Sequence, residues 1–270
     1  MRPVRGGVCT SARRLVYNDP AEQGPCGPSP LGSIGATMPA EPLCDILTRP
    51  ADEAVRGFME RWHGATPADH ALRASVRLPR VLADFYRAYG TAADAWLVNR
   101  LQAPDDLRQD EEDAAFLVFY VEEQAVYLWA IRKEDLDADD PPVWCRENEP
   151  GRPWVQDAPS MSVFLVQMLV MSAALSGPHA ACAAWLSRED TEAALGGLRQ
   201  LDLPPWHWPG YPARWYAGVD AVAFTCPNWA PGSGEDPELS VWVSALSDDG
   251  VRFLAPHISN AWEYYSPRDG

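Results

Sequence analysis

The chain has 270 residues, 47% of them hydrophobic, with a formal net charge of −16 and a pI near 4.6. That length and apolar content are enough to bury a proper core and exclude general disorder. The acid excess argues against a protein that tracks nucleic-acid phosphates, which needs a basic footprint. It fits either surplus acid kept for solubility or a partner with a basic surface.

Residues 1–37 are rich in Gly, Pro, Arg and Ser, lack apolar periodicity, and read as a disordered N-terminal extension. Arg13-Arg14 leads into Leu-Val-Tyr-Asn-Asp, which breaks any signal-peptide core. From Pro50 the punctuation is helical. Val55, Phe58, Met59 and Trp62 form a stripe that Gly64 closes. Thr66-Pro67-Ala68-Asp69 has the form of a cap and predicts a second helix to about Val76. Leu78-Pro79 opens a third, carrying Val81, Leu82, Phe85, Tyr86 and Tyr89 to a stop at Gly90. Trp96-Leu97-Val98 is a candidate strand.

The chain's centre is FLVFYVEEQAVYLWAI, Phe116–Ile131. Two runs of aromatic and β-branched residues flank Glu122-Glu123-Gln124, which predicts a hairpin. Both faces are apolar, so helices should cover at least one side. Pro141-Pro142-Val143-Trp144 reads as a short edge strand. Ser160 can cap an apolar helix, Met161–Leu175, closed by Ser176-Gly177-Pro178. That run contains Gln167 and two serines and is too short to span a bilayer comfortably, so it reads as a buried helix.

Beyond Pro178, Ala181–Leu186 reads as helical, and Ser187 caps a further helix through about Leu201. Leu203–Tyr211 is a tryptophan-dense connector. Arg214–Thr225, Leu239–Leu246 and Val251–Ala255 then read as strands, with Pro231–Glu238 between the first two.

The Leu78–Gly90 helix, the Phe116–Ile131 strand pair, the Asp140–Trp144 strand and the apolar helix before Gly177 stand in an order that resembles the SUKH superfamily, the Smi/Knr-type domain. The resemblance covers residues 50–177. It implies an α+β fold, with helices packed on a mainly antiparallel central sheet; residues 178–270 would be an additional α+β region packed on it. It implies binding without catalysis. Many bacterial members look like immunity proteins that neutralise a toxin domain, often a nuclease, and eukaryotic relatives are regulatory interaction proteins. No catalytic residue set and no cofactor are carried over.

Candidate partner-binding residues follow from the charge pattern. Between Asp105 and Asp140 stand thirteen acids and three cations, a net −10. The clusters are Asp105, Asp106, Asp110, Glu111, Glu112 and Asp113; Glu122 and Glu123; and Glu134, Asp135, Asp137, Asp139 and Asp140. All sit near ends of the central strands, so they are expected to converge on one rim with Trp144 at its centre. Solvated loops are the plain reading; an electrostatic mimic of nucleic acid capping a basic cleft is the functional one. Glu122-Glu123 suits a turn better than a catalytic pair, because neighbours on a strand face opposite ways.

The six cysteines have no repeating spacing and read as free thiols in a reducing cytoplasm. His179-x-x-Cys182 lacks a second ligand pair, and His207 or His257 would have to arrive through folding, so no metal site is assigned. No phosphate loop, nucleophile elbow or deaminase signature is present. Trp206, Trp208 and Trp229 lie in loops, as core packing or partner anchors. The expected function is a protein-binding module, most simply an immunity protein. A regulatory scaffold of the same fold, or an enzyme with an unrecognised pocket, are the alternatives.

Overall fold

The structure, a computed structural model, describes residues 40–266 except 75, 91–92, 94–95 and 229–236. The expectations for residues 1–37 and for Trp229 lie outside them. The fold is α+β, built on two antiparallel sheets.

The first sheet has the order β1-β3-β4-β5-β6, with β2 also paired to β3. Its strands are β1 (Arg100–Leu101), β2 (Arg108–Gln109), β3 (Phe116–Val121), β4 (Tyr127–Arg132), β5 (Val143–Glu147) and β6 (Val155–Ala158). The β3–β4 hairpin is the predicted one. Its ladder shifts between Val118 and Tyr120, so Phe119 and Tyr120 both join the main core while Val118 and Val121 face the other way. Such a two-for-one count is a β-bulge. β5 is an interior strand, paired to both β4 and β6. Pro141 and Pro142 precede it, so their missing N–H groups cost the ladder nothing.

Helices fill the space on the inner side of this sheet: α1 (Leu43–Ile46), α2 (Ala51–His63), α3 (Arg80–Tyr89) and α4 (Met161–Ser176). Gly64 closes α2 at φ 62°, a left-handed position that suits glycine. Ser160 caps α4 by accepting from the Val163 N–H. α4 is buried on nearly every side, as its lack of a polar face requires. Phe164 packs against Phe119, Tyr120 and Trp129 of the first sheet, while the same helix touches the second sheet at β10 and β11. Gly177 lets the chain leave α4 closely: a Cβ there would stand 2.6 Å from the Ser244 side chain.

The second sheet has the order β12-β7-β11-β10-β9-β8, from β7 (His179–Leu186), β8 (Arg199–Gln200), β9 (Arg214–Ala217), β10 (Ala221–Pro227), β11 (Leu239–Ala245) and β12 (Trp262–Tyr265). Its outer face is covered by α5 (Arg188–Leu195), α6 (Asp248–Val251) and the turn that follows. One buried cluster runs from Leu43 through Phe119 and Phe164 to Trp242 and so draws on both halves of the chain.

Several segments differ from their predicted form. Residues 66–76 are not a helix where described; Ala68 and His70 donate their N–H groups to Ala88 and Arg87. Those are last-turn carbonyls of α3, which have no partner within their own helix. Residues 96–98 form no strand, and the Val98 N–H donates to Ser172 on α4. Ala181–Leu186 is strand, as the interior position of β7 overrides alanine's helix preference. The helix after Ser187 stops at Leu195. Arg214–Thr225 is a hairpin, β9–β10, turning at Gly218–Asp220. Val251–Ala255 is helical, because Ser247 accepts from the Gly250 N–H and starts a turn.

Candidate functional site

Among the described residues, no helix lies on the outward face of the first sheet. Phe116, Val118, Val121, Leu128 and Ala130 form a separate apolar cluster there, joined by Ala125, Trp144 and Trp154. Alternation dictates this: on β5, Val143 and Cys145 join the main core while Trp144 packs on the other side. The cover is made by two loops, residues 110–115 and 148–154, fastened to each other. Arg146 Nη2 and Nε donate to the two oxygens of Asp110 at 2.5 and 3.1 Å, and both side chains are only 3% exposed. Trp154 Nε1 donates to the same carboxylate, and the Gly151 N–H donates to Glu112. Burial alone would raise the Asp110 carboxyl. The Arg146 hydrogen bond and charge, with the Trp154 N–H, outweigh it and hold the group below its ordinary range.

A stack of rings and guanidinium groups joins the sheet to these loops. Arg132 sits 3.8 Å over the Trp144 ring and 5.7 Å from Phe116. Phe116 stacks on Trp154 at 4.6 Å, and Arg146 lies 5.3 Å from Trp154. Trp144 is therefore half-buried with a cation already on its face, rather than presented bare at the centre of a rim.

The predicted acids fall into three places. Phe116 pairs with Arg132, so the loop carrying Asp110, Glu111, Glu112 and Asp113 shares one end of the hairpin with Glu134, Asp135, Asp137, Asp139 and Asp140. Glu122 and Glu123 lie at the opposite end, as an antiparallel pair requires. Asp105 and Asp106 are exposed on the β1–β2 loop at the sheet edge, where Asp105 borders a cleft of about 320 Å³ with His70 and Arg73. The expected single rim is thus a corner of two segments.

Several predicted contact residues accept internal hydrogen bonds, among them Glu112 and Asp113 from the Gly151 and Ala115 N–H groups. Asp110 is the buried partner of Arg146. Glu122 is buried and accepts from the Gln124 and Val126 N–H groups, closing the hairpin turn. Asp140 accepts from the Ser162 backbone and hydroxyl at the start of α4. At the corner, Asp137 and Asp139 face Arg77 and Arg80. Glu111, Asp113 and Asp135 make no ion pair among the described residues. The two loops also enclose a cleft of about 230 Å³ with Glu111, Glu112, Glu149 and Arg108 on its walls.

The inner side of the same sheet holds a cluster that sequence spacing does not announce. Cys145 on β5, Asp157 on β6 and His207 on the connector place their donor atoms within 4.8 Å of one another. Asp157 Oδ1 accepts from the His207 backbone N–H at 3.0 Å and from Nδ1 at 2.7 Å, and Oδ2 accepts from Trp129 Nε1 at 2.7 Å. The Tyr127 hydroxyl lies 4.0 Å from the Cys145 sulfur. Burial first, then the Asp157 charge, push the Cys145 thiol up. The carboxylate stands between thiol and imidazole, whereas a thiol activated by a base needs the imidazole in the middle. His179 and Cys182 do not join the cluster: His179 bonds to Asp248. Trp206 is fully buried, with Trp129, Phe164 and Trp215 around it, and Trp208 packs edge-on to Trp129. Trp206 is a core residue, and Trp208 is half-buried against that core.

No helix among the described residues is long and apolar enough to cross a membrane. Compared with protein-family models, with curated proteins and with solved structures, the chain matches none.

Proposed function

We propose that this chain is a non-catalytic protein-binding module of the SUKH-like kind, acting in the cytoplasm as an immunity protein that masks a toxin domain with a basic cleft, as a nuclease has. The observation that carries the reading is the acidic corner. Glu111, Glu112 and Asp113, on a loop pinned by the buried Asp110–Arg146 pair, share one end of the central hairpin with Glu134 and Asp135. A rigid, acid-rich corner suits fast encounter with a basic surface and rejection of others. Masking needs no cofactor, and the raised thiol of Cys145 is consistent with a protein that performs no nucleophilic chemistry.

Affinity capture from the native cytosol at low salt, with mass spectrometry, tests the reading. One stoichiometric basic partner is expected, released as salt rises, and poisonous to cells that lack this chain. Capture of nothing at low salt, or of a partner indifferent to salt and harmless to such cells, contradicts it.

A further inference from the structure

We propose that Cys145, Asp157 and His207 form a binding site for a thiophilic divalent cation of the zinc class, held between the first sheet and the tryptophan-rich connector. This inference is independent of the partner-binding reading.

The three donors come from β5, β6 and residues 203–211, and their atoms lie within 4.8 Å of one another. A sulfur, a carboxylate oxygen and an imidazole nitrogen form a donor set that suits zinc or cobalt and disfavours magnesium or calcium. Charge balance supports the choice. The Asp157 side chain is 0% exposed, and its ion-pair partner among the described residues is His207, a cation only when protonated. Three hydrogen bonds hold this carboxylate, yet no fixed positive charge faces it among the described residues. A divalent cation shared by the Asp157 carboxylate and the Cys145 thiolate, with neutral His207, leaves the site with no net charge.

The supporting groups are already in place. Trp129 Nε1 donates to Asp157 Oδ2, fixing the carboxylate from the side away from His207, and the Tyr127 hydroxyl stands beside the sulfur. Such second-layer hydrogen bonds orient ligands in metal sites. The His207 side chain is 32% exposed while Cys145 is fully buried, so the cation enters past the imidazole. Binding releases the thiol proton to solvent. The proton that neutral His207 carries on Nδ1, donated to Asp157 in the empty site, moves to Nε2 and frees Nδ1 for the cation. With three protein donors the fourth position is left for water.

Anaerobic titration of the full chain with cobalt(II), in a phosphine reductant, tests the site. The expected result is a near-ultraviolet thiolate-to-cobalt band saturating at one equivalent, displaced by zinc and unaffected by magnesium. Cys145→Ser should abolish the band, and His207→Ala should weaken cobalt binding by more than about 100-fold. The Cys9→Ser/Cys26→Ser/Cys44→Ser triple variant should keep it. If Cys145→Ser fails to fold, His207→Ala carries the test, because its ring is partly in solvent. A wild-type protein that gives no band overturns the proposal. So does a band that survives His207→Ala, or one lost in the triple variant.

Discussion

The two sheets solve the same problem in different ways. Each has an inner face on α4 and its aromatic neighbours and an outer face that needs cover. The outer face of the second sheet is paved with Ala181, Ala183, Ala221, Ala223, Val241, Val243 and Ala245, and helices lie close on it. The outer face of the first sheet is paved with larger groups and covered by loops, which an Arg146–Asp110 pair and a stack of Arg132, Trp144, Phe116 and Trp154 hold down. Small side chains let helices lie close on the second sheet, whereas among the described residues loops cover the outer face of the first and carry its charge.

The sharpest way to break this contrast is to remove what both sheets share. Trp206→Ala empties a fully buried site between Trp129 and Trp215 and should cost about 3–5 kcal/mol, read by urea denaturation. Next comes the loop fastening. Asp110→Asn or Arg146→Met leaves a buried partner unpaired and should cost about 3–5 kcal/mol, and the double variant should recover part of that. An Ala183→Leu change on the second sheet should cost about 1–3 kcal/mol by overpacking its helices. Loop cover should tolerate change better than helix cover: Trp144→Ala should cost less than about 2 kcal/mol.

Two protonation effects sharpen the picture further. Asp110 is held below its ordinary value of 3.8, so its contribution is present above that pH and disappears as pH falls through the lowered value. Asp110→Asn should remove that dependence. His63, stacked on Trp96 at 5.1 Å, is lowered by burial from 6.5 to about 4. The unfolded chain therefore binds the extra proton between those values, and stability should fall as pH drops from about 6.5 towards 4. His63→Phe should flatten the urea midpoint across that window.

What was legible in the sequence follows the punctuation. The α2, α3 and α4 helices and the central hairpin are bounded by proline, glycine or a serine cap and were readable to within a residue or two. The misread segments are those that tertiary partners decide. Residues 66–76 carry a helix-start pattern but satisfy the end of α3 instead. β7 is alanine-rich and lies in a sheet because β11 and β12 flank it. β6 and β12 are four residues each, too short to show alternation. The acidic residues were plain, but their placement was not: antiparallel pairing sends Glu122 and Glu123 to the far end, and burial engages Asp110. Cys145, Asp157 and His207 lie far apart in the chain, and the one trace of their meeting is the tryptophan-dense connector that holds His207.

The most direct test of the account compares two charge-reversal pairs of equal net change in capture of the partner. Glu111→Lys/Glu134→Lys alters the proposed corner, and Glu123→Lys/Glu147→Lys alters the opposite end of the sheet, at the hairpin turn and the strand beside it. Binding lost in the first and kept in the second is the predicted result. Equal loss in both, or loss confined to the second, would contradict a partner surface at the acidic corner.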